Sequence, residues 1–200
     1  MTKELFDRHC WIFDLDGTLT KPIHNFEQIR KTIGVPKNTP ILEYIKTLPA
    51  NTAADIDQKL QEIEVELAHQ AEAEADAVGF LKQLSLLKYR LGVVTRNTSK
   101  IATLTLKTAG LLKHFSSECI FGRDNAIPKP SPAGIQCLLT LWNKSPDDAV
   151  MVGDYLFDLQ AGKAAGTKTV YLDRRGLSTW NDLADITVSN FNELASKQHL

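Results

Sequence analysis

No apolar run in this sequence approaches the roughly 20 residues that a bilayer span needs, so no spanning helix is expected. The opening MTKELFDRHC has no long apolar segment and does not read as a secretory signal. Cysteine is scarce. Cys10, Cys119 and Cys137 are odd in number and form no C-x-x-C pair, which argues against a disulfide framework and against a zinc site. They read as reduced thiols in the core of a cytoplasmic protein. An excess of basic residues is missing too. Lys and Arg number 23 against 24 Asp and Glu, for a formal net charge of -1. That balance gives no reason to expect a nucleic-acid partner, and no polybasic run offers itself to an anionic membrane. Internal repeats and flexible linkers are also absent.

What is present is an ordinary globular composition, 43% hydrophobic and 24% charged over 200 residues. That length suits one sizeable core, or one core with a small insert. Short apolar runs at Cys10 to Phe13, Leu91 to Val94, Ala149 to Val152 and Thr169 to Leu172 each stop at a polar or glycine-containing turn, with a weaker run at Cys119 to Phe121. Near-continuous runs of this length suit strands buried on both faces. Helical patterns at Ile101 to Leu112, Pro132 to Trp142 and Phe157 to Ala165 lie between them. The alternation predicts an α/β fold, a parallel sheet with helices on both sides.

The first two strands are separated by a long insert. Within it Ile56, Leu60, Ile63 and Leu67 repeat at helical spacing, and the run AEAEADA is read as a continuation of that helix. Pro36, Pro40 and Pro49 divide the earlier part into shorter helices. The expected organisation is a Rossmann-like core from residues 1–20 and 77–200, with a small helical cap, residues 21–76, inserted after strand one.

In an open parallel sheet, ligands bind beyond the carboxyl ends of the strands. Four motifs fall there. In WIFDLDGTLT, Asp14 and Asp16 follow the first strand. Two acids so placed can be a polar strand end and turn, or a carboxylate nucleophile with an acid/base partner. In LGVVTRN, Thr95 can cap a helix or give its hydroxyl to a phosphoryl oxygen, and Arg96 and Asn97 add donors at the same rim. In IPKPSP, Lys129 is a solvated lysine or a restrained one that neutralises a transferring group. In MVGDYLFD, Asp154 and Asp158 are a helix cap and a helical acid, or a metal ligand and its support.

Taken together, in order and at strand ends, these motifs resemble the haloacid dehalogenase superfamily of aspartate-nucleophile phosphotransferases. The likeness runs from residue 10 to about 173. It looks like the small-cap, phosphoglycolate-phosphatase-like branch, with a three-layer core. The resemblance implies Asp14 as nucleophile, Asp16 as general acid/base, Thr95 on the phosphoryl group and Lys129 stabilising its charge. It implies Mg²⁺ held by the Asp14 side chain, the Asp16 backbone carbonyl and Asp154, with Asp158 behind them. Tyr155 departs from the pattern, because many relatives have a small residue such as serine there. It is a candidate contact to the leaving group. The dehalogenases lack the second acid, so Asp16 favours phosphoryl transfer over carbon–halogen cleavage.

The expected activity is therefore Mg²⁺-dependent hydrolysis of a small phosphorylated metabolite through an aspartyl phosphate. A sugar phosphomutase and a non-catalytic phosphate-binding module are the competing readings. Specificity should come from the cap. His24, Asn25 and Arg30 near its start are weak substrate-binding candidates, Lys21 and Lys46 looser ones, and each can equally be a solvated helix face. Arg123 and Asp124 after the third strand are further weak candidates. His9, His69, His114 and His199 have no metal-like spacing, and Trp11, Trp142 and Trp180 read as packing.

Overall fold

We describe a computed structural model of the chain over residues 4–197. His199 lies outside the described residues. The strands are β1 (Cys10–Phe13), β2 (Arg90–Val94), β3 (Ile120–Phe121), β4 (Ala149–Gly153), β5 (Lys168–Leu172) and β6 (Ile186–Val188). They form one sheet in the order β3-β2-β1-β4-β5-β6. Every pairing is parallel. The expected α/β core is therefore observed, with β6 as an added edge strand. Three residues carry too little pattern for β6 to be read from the sequence.

Successive strand side chains point to opposite faces, so the four residues of β1 divide between two apolar layers. Trp11 and Phe13 join Leu91, Val93, Val150 and Val152 in one. Cys10 and Ile12 join Ala149 and Met151 in the other. The first layer is closed by α4 (Ala75–Leu86), α5 (Ser99–Thr108) and α8 (Phe191–Ser196). The second is closed by α6 (Ala133–Trp142) and α7 (Leu156–Ala165). All four β1 residues are fully buried, which explains a run with no polar alternation.

The stretch after β1 holds α1 (Phe26–Ile33), α2 (Ile41–Ile45) and α3 (Ala50–Ala68). Pro40 and Pro49 stand at the N-caps of α2 and α3, where a missing N–H costs nothing. Ile29, Ile33, Val35, Leu42 and Leu60 form an apolar cluster of their own, joined by Ile56, Ile63 and Leu67. The helical spacing read in the sequence thus marks a packed stripe, buried at Leu60 and half-buried at Ile56, Ile63 and Leu67.

Two expectations are corrected. AEAEADA does not continue α3, which ends at Ala68. Thr20 bridges antiparallel to Ala73, the Lys21 N–H donates to the Glu72 carbonyl and the Glu74 N–H to the Leu19 carbonyl. This pairing draws the chain out of helix before α4 begins and turns Ala77 and Phe80 onto the sheet. Strong helix formers are overridden by tertiary pairing. Second, Cys10 and Cys119 are buried but Cys137 is exposed. The buried stripe of α6 runs through Ile135, Leu138, Leu139 and Trp142, and Cys137 lies off it.

Asp76 in the first turn of α4 ties three elements together. Both Arg174 terminal nitrogens donate to it at 3.1 Å, and the Phe191 N–H at the start of α8 donates at 2.6 Å. Burial pushes its carboxyl up, but these donors outweigh burial and hold it below the usual carboxylate range. A carboxylate depressed in the folded state stabilises above its unfolded value and loses that contribution as pH falls through the folded one. Asp76→Asn should therefore lower stability by about 2 kcal/mol near neutrality. The gap to the parent should close below about pH 4 in urea titrations at stepped pH. A gap independent of pH would refute the role.

Candidate active site

The strand order places β2 and β3 on one side of β1 and β4 to β6 on the other. The crevice beyond the ends of β1 and β4 is the switch point where such sheets bind ligands. Phe13 pairs with Val152, and the Asp14 N–H donates to the Val152 carbonyl at 2.9 Å. Parallel register thus sets Asp14 beside the end of β4, where Asp154 follows. The carboxylates of Asp14, Asp154 and Asp158 each present an oxygen within 4.8 Å of the others.

Lys129 is held among them. Its side chain is 1% exposed, its ammonium donates to Asp14 Oδ1, and it lies 2.7 Å from Asp158 Oδ1. Burial pulls its pKa down, but the two carboxylates outweigh burial and leave it raised, so the lysine stays charged. Asp158 Oδ2 also accepts from the Tyr155 N–H at 3.0 Å. Both its oxygens are thus occupied by protein donors, which fixes Lys129 from behind.

The acids carry the mark of crowding. Burial first, then Asp14 and Asp158, push the Asp154 carboxyl up. Burial likewise pushes Asp158 up against the pull of Lys129. Asp16 is pushed up to about 7 by burial and then by the Asp14 charge, with Lys129 and Asn97 pulling the other way. Its Oδ2 accepts from Asn97 Nδ2 at 2.7 Å.

The turn after β1 wraps Asp154. Thr18 Oγ1 donates to Asp154 Oδ1 at 3.0 Å. Gly17 has a φ of 90°, and a Cβ there would stand 2.7 Å from Asp154 Oδ2. Only glycine allows both the backbone angle and the approach. The turn reading of Gly17 and the functional reading of Asp16 are therefore parts of one structure. Thr95 is buried, and its Oγ1 accepts from the Asn97 N–H at 3.1 Å. The capping role open to Thr95 belongs to Thr98, whose side chain accepts from Ile101 N. Asp154 caps no helix either, since Tyr155 is the N-cap of α7.

A cavity of about 410 Å³ opens over these groups. Asp14, Asp16, Thr95, Arg96, Asn97, Lys129, Asp154, Tyr155 and Asp158 all line it, as do His24 and Arg30. Other weak candidates are engaged elsewhere. Asn25 caps α1, and Lys21 pairs with Glu72. Asp124 accepts from Ser99 at the start of α5. Arg123 donates to both oxygens of Glu64 on α3, at 3.0 and 2.8 Å. Arg96 reaches the cavity, but its NH2 donates to both oxygens of Glu43 on α2, at 2.9 and 2.8 Å, and its NH1 donates to the Lys129 carbonyl. Glu43, Glu64 and Thr18 escape sequence reasoning. Thr18 lies inside the Asp-rich stretch WIFDLDGTLT and could have been flagged, whereas the two glutamates look like any acids on an amphipathic helix. Tyr155 stands edge-on to Trp180 and Phe157 at ring distances of 4.8 and 5.2 Å, which holds it at the rim.

The family model of haloacid dehalogenase-like hydrolases matches residues 20–172. The chain belongs to this family. It is a hydrolase on the same ground. The match begins just after Asp14 and Asp16, so these two stand on their geometry. The chain is similar to the pyrophosphatase PpaX of Listeria welshimeri, at 31% identity over 79% of this chain and 80% of that protein. Among solved structures, a hydrolase from Pseudomonas syringae aligns with a TM-score of 0.80 at 19% identity, over 96% of this chain and 98% of that one. A predicted phosphoglycolate phosphatase from Haemophilus somnus aligns at 0.76 and 18% identity, over 98% and 100%. At such identities the two structures speak for the fold alone.

Gly17→Ala should cost about 1–3 kcal/mol of stability through backbone strain. It should also displace Asp154 and lower activity. Urea unfolding beside a turnover assay checks both, and a variant with parental stability and rate would refute the close approach.

Proposed function

We propose that this chain is a Mg²⁺-dependent phosphatase that hydrolyses a small phosphorylated metabolite through an aspartyl phosphate on Asp14. The observation that carries the reading is the buried set at the end of β1 and β4: three carboxylates within 4.8 Å of one another, with Lys129 between two of them. The name of the relative from Listeria welshimeri, a pyrophosphatase, supports hydrolysis at phosphorus.

The residues fit a hard divalent cation. The donors are oxygens, and Asp154 is pushed up by burial and then by the charges of Asp14 and Asp158, which a cation would offset. Asp14 and Asp154 side chains would hold it with the Asp16 carbonyl, and Asp158 would support them through Lys129. Bound there, it would offset the repulsion between the carboxylates and a phosphate dianion.

The protein groups do the rest. An oxygen of Asp14 attacks phosphorus as the bond to the leaving oxygen breaks. Lys129 and Thr95 stabilise the transferring group's charge. Asp16, pushed up toward neutrality and steadied by Asn97, gives its proton to the leaving oxygen. As a carboxylate it then takes a proton from water. That water attacks phosphorus, the bond to Asp14 breaks, and phosphate and free Asp14 result. Helices α1 to α3 form the cap over the cavity. Among the described residues no helix is long and apolar enough to cross a membrane. The scarcity of cysteine supports a cytoplasmic setting, and the balanced charge gives no footing for a nucleic-acid partner.

Phosphate release from a panel of phosphorylated metabolites tests this. Turnover should require Mg²⁺, stop with chelator, and fall by a factor on the order of 10³ or more in folded Asp14→Asn. Full activity in that variant, or indifference to chelator, overturns the mechanism.

A further inference from the structure

The cavity has two unlike ends. The floor carries the acids, Lys129 and Thr95. The opposite wall is built from Phe26, Ile29, Ile41, Leu42 and Leu60 of α1 to α3, with Phe157 beside them. A leaving group must sit against that wall once its phosphate is on the floor.

Charges that could receive a second anion there are already committed. Arg96 is taken by Glu43 and the Lys129 carbonyl, and its guanidinium lies 4.6 Å over the Phe157 ring. Lys129 is enclosed by Asp14 and Asp158. Glu64 also lines the cavity, and Arg123 on its far side matches its charge. Among the described residues, Arg30 is the one cationic lining residue of the cavity that the ion pairs leave without a carboxylate. Its Nε donates to the Thr39 carbonyl, and it also lines a neighbouring surface depression with Lys31 and Lys37. It is thus shared between the cavity and that depression. A carboxylate or second phosphate set against the inner wall out of reach of Arg30 would lose water without gaining a partner.

Polar groups interrupt the wall at Asn38, at Glu64, which Arg123 holds, and at His24. The His24 side chain is only 9% exposed, its Nδ1 faces Asp16 Oδ1 at 3.9 Å, beyond hydrogen-bond reach, and its ring stacks on Phe26 at a ring distance of 5.6 Å. Its buried Nδ1 has no hydrogen-bond partner. Buried ring nitrogens are normally satisfied, so this atom points to a ligand. Its position beside Asp16 sets it close to where the ester oxygen departs.

We propose that the substrate is a phosphomonoester of an uncharged, ring-bearing alcohol, its ring against the apolar wall and one polar substituent on His24 Nδ1. This rests on the phosphatase reading of the site. It assigns Phe26 and His24 to specificity, and it separates this chain from relatives whose names imply charged leaving groups.

The test compares benzyl phosphate with phosphoglycolate, whose leaving alcohols are alike in basicity, so the ratio of kcat/KM reports the wall. Benzyl phosphate should be favoured by about tenfold or more. Phe26→Ala should shrink that ratio, and Phe26 is 54% exposed, so the fold should tolerate the change. A ring hydroxyl should add to the preference in the parent and not in His24→Phe. Calorimetry with Mg²⁺ present, benzylphosphonate against phosphonoacetate, gives a readout independent of turnover. Tighter binding of benzylphosphonate with no turnover of either ester would sink the phosphatase reading and keep the assignment of the wall. Equal or better use of phosphoglycolate, tighter binding of phosphonoacetate, or no binding of either phosphonate overturns the proposal.

Discussion

The molecule is organised around a buried lysine among carboxylates. Lys129 holds Asp14 on one side and Asp158 on the other, and each of the three would be costly alone in that position. Removing Lys129 leaves two carboxylates unopposed beneath the cavity. The rest of the core serves to bring these chains together from distant parts of the sequence. The sheet supplies Asp14 at the end of β1, the loop before α6 supplies Lys129, and the first turn of α7 supplies Asp158. The all-apolar interior of β1 is what lets the strand run through the middle of the sheet and deliver a charged residue only at its last step.

Around this centre, polar forks connect α1 to α3 with the core. Arg96 follows Thr95 directly and grips Glu43, while Arg123 follows β3 and grips Glu64. Arg123 meets Glu64 with two nitrogens, a bidentate pairing that fixes orientation as well as distance, whereas Arg96 reaches both Glu43 oxygens from one nitrogen. The helices over the cavity are thereby registered to the loops that follow β2 and β3. Arg96 also donates to the Lys129 carbonyl, so one side chain touches the cap side, the lysine loop and the Phe157 ring at once.

Much of this was legible in the sequence. Strands buried on both faces leave unbroken apolar runs, and those runs located β1, β2, β4 and β5. The polar residues that terminate them located Asp14, Thr95 and Asp154. Periodicity found the stripe of α3. What escaped depends on contacts remote in sequence. AEAEADA has every local mark of helix, and only its pairing with Leu19 to Lys21 stops α3 at Ala68. Cys137 reads as core until the stripe of α6 is known. Arg123 is a weak candidate in the sequence, and its hold on Glu64, a cavity-lining residue of α3, is invisible there. The committed state of Arg96 is invisible for the same reason, because Glu43 lies on a helix of only five residues.

The crossing at Thr20 and Ala73 has a consequence for how such a chain can change. The backbone leaves the sheet and returns to it through two segments bonded side by side, so everything between them is a loop already closed at its base. Closure entropy grows only with the logarithm of loop length. Lengthening, shortening or replacing the intervening helices therefore asks little of the sheet beneath. The enclosed segment is free to drift in size and lining while the catalytic floor stays constant. A single hydrogen-bonded doorway makes selectivity and chemistry separately heritable.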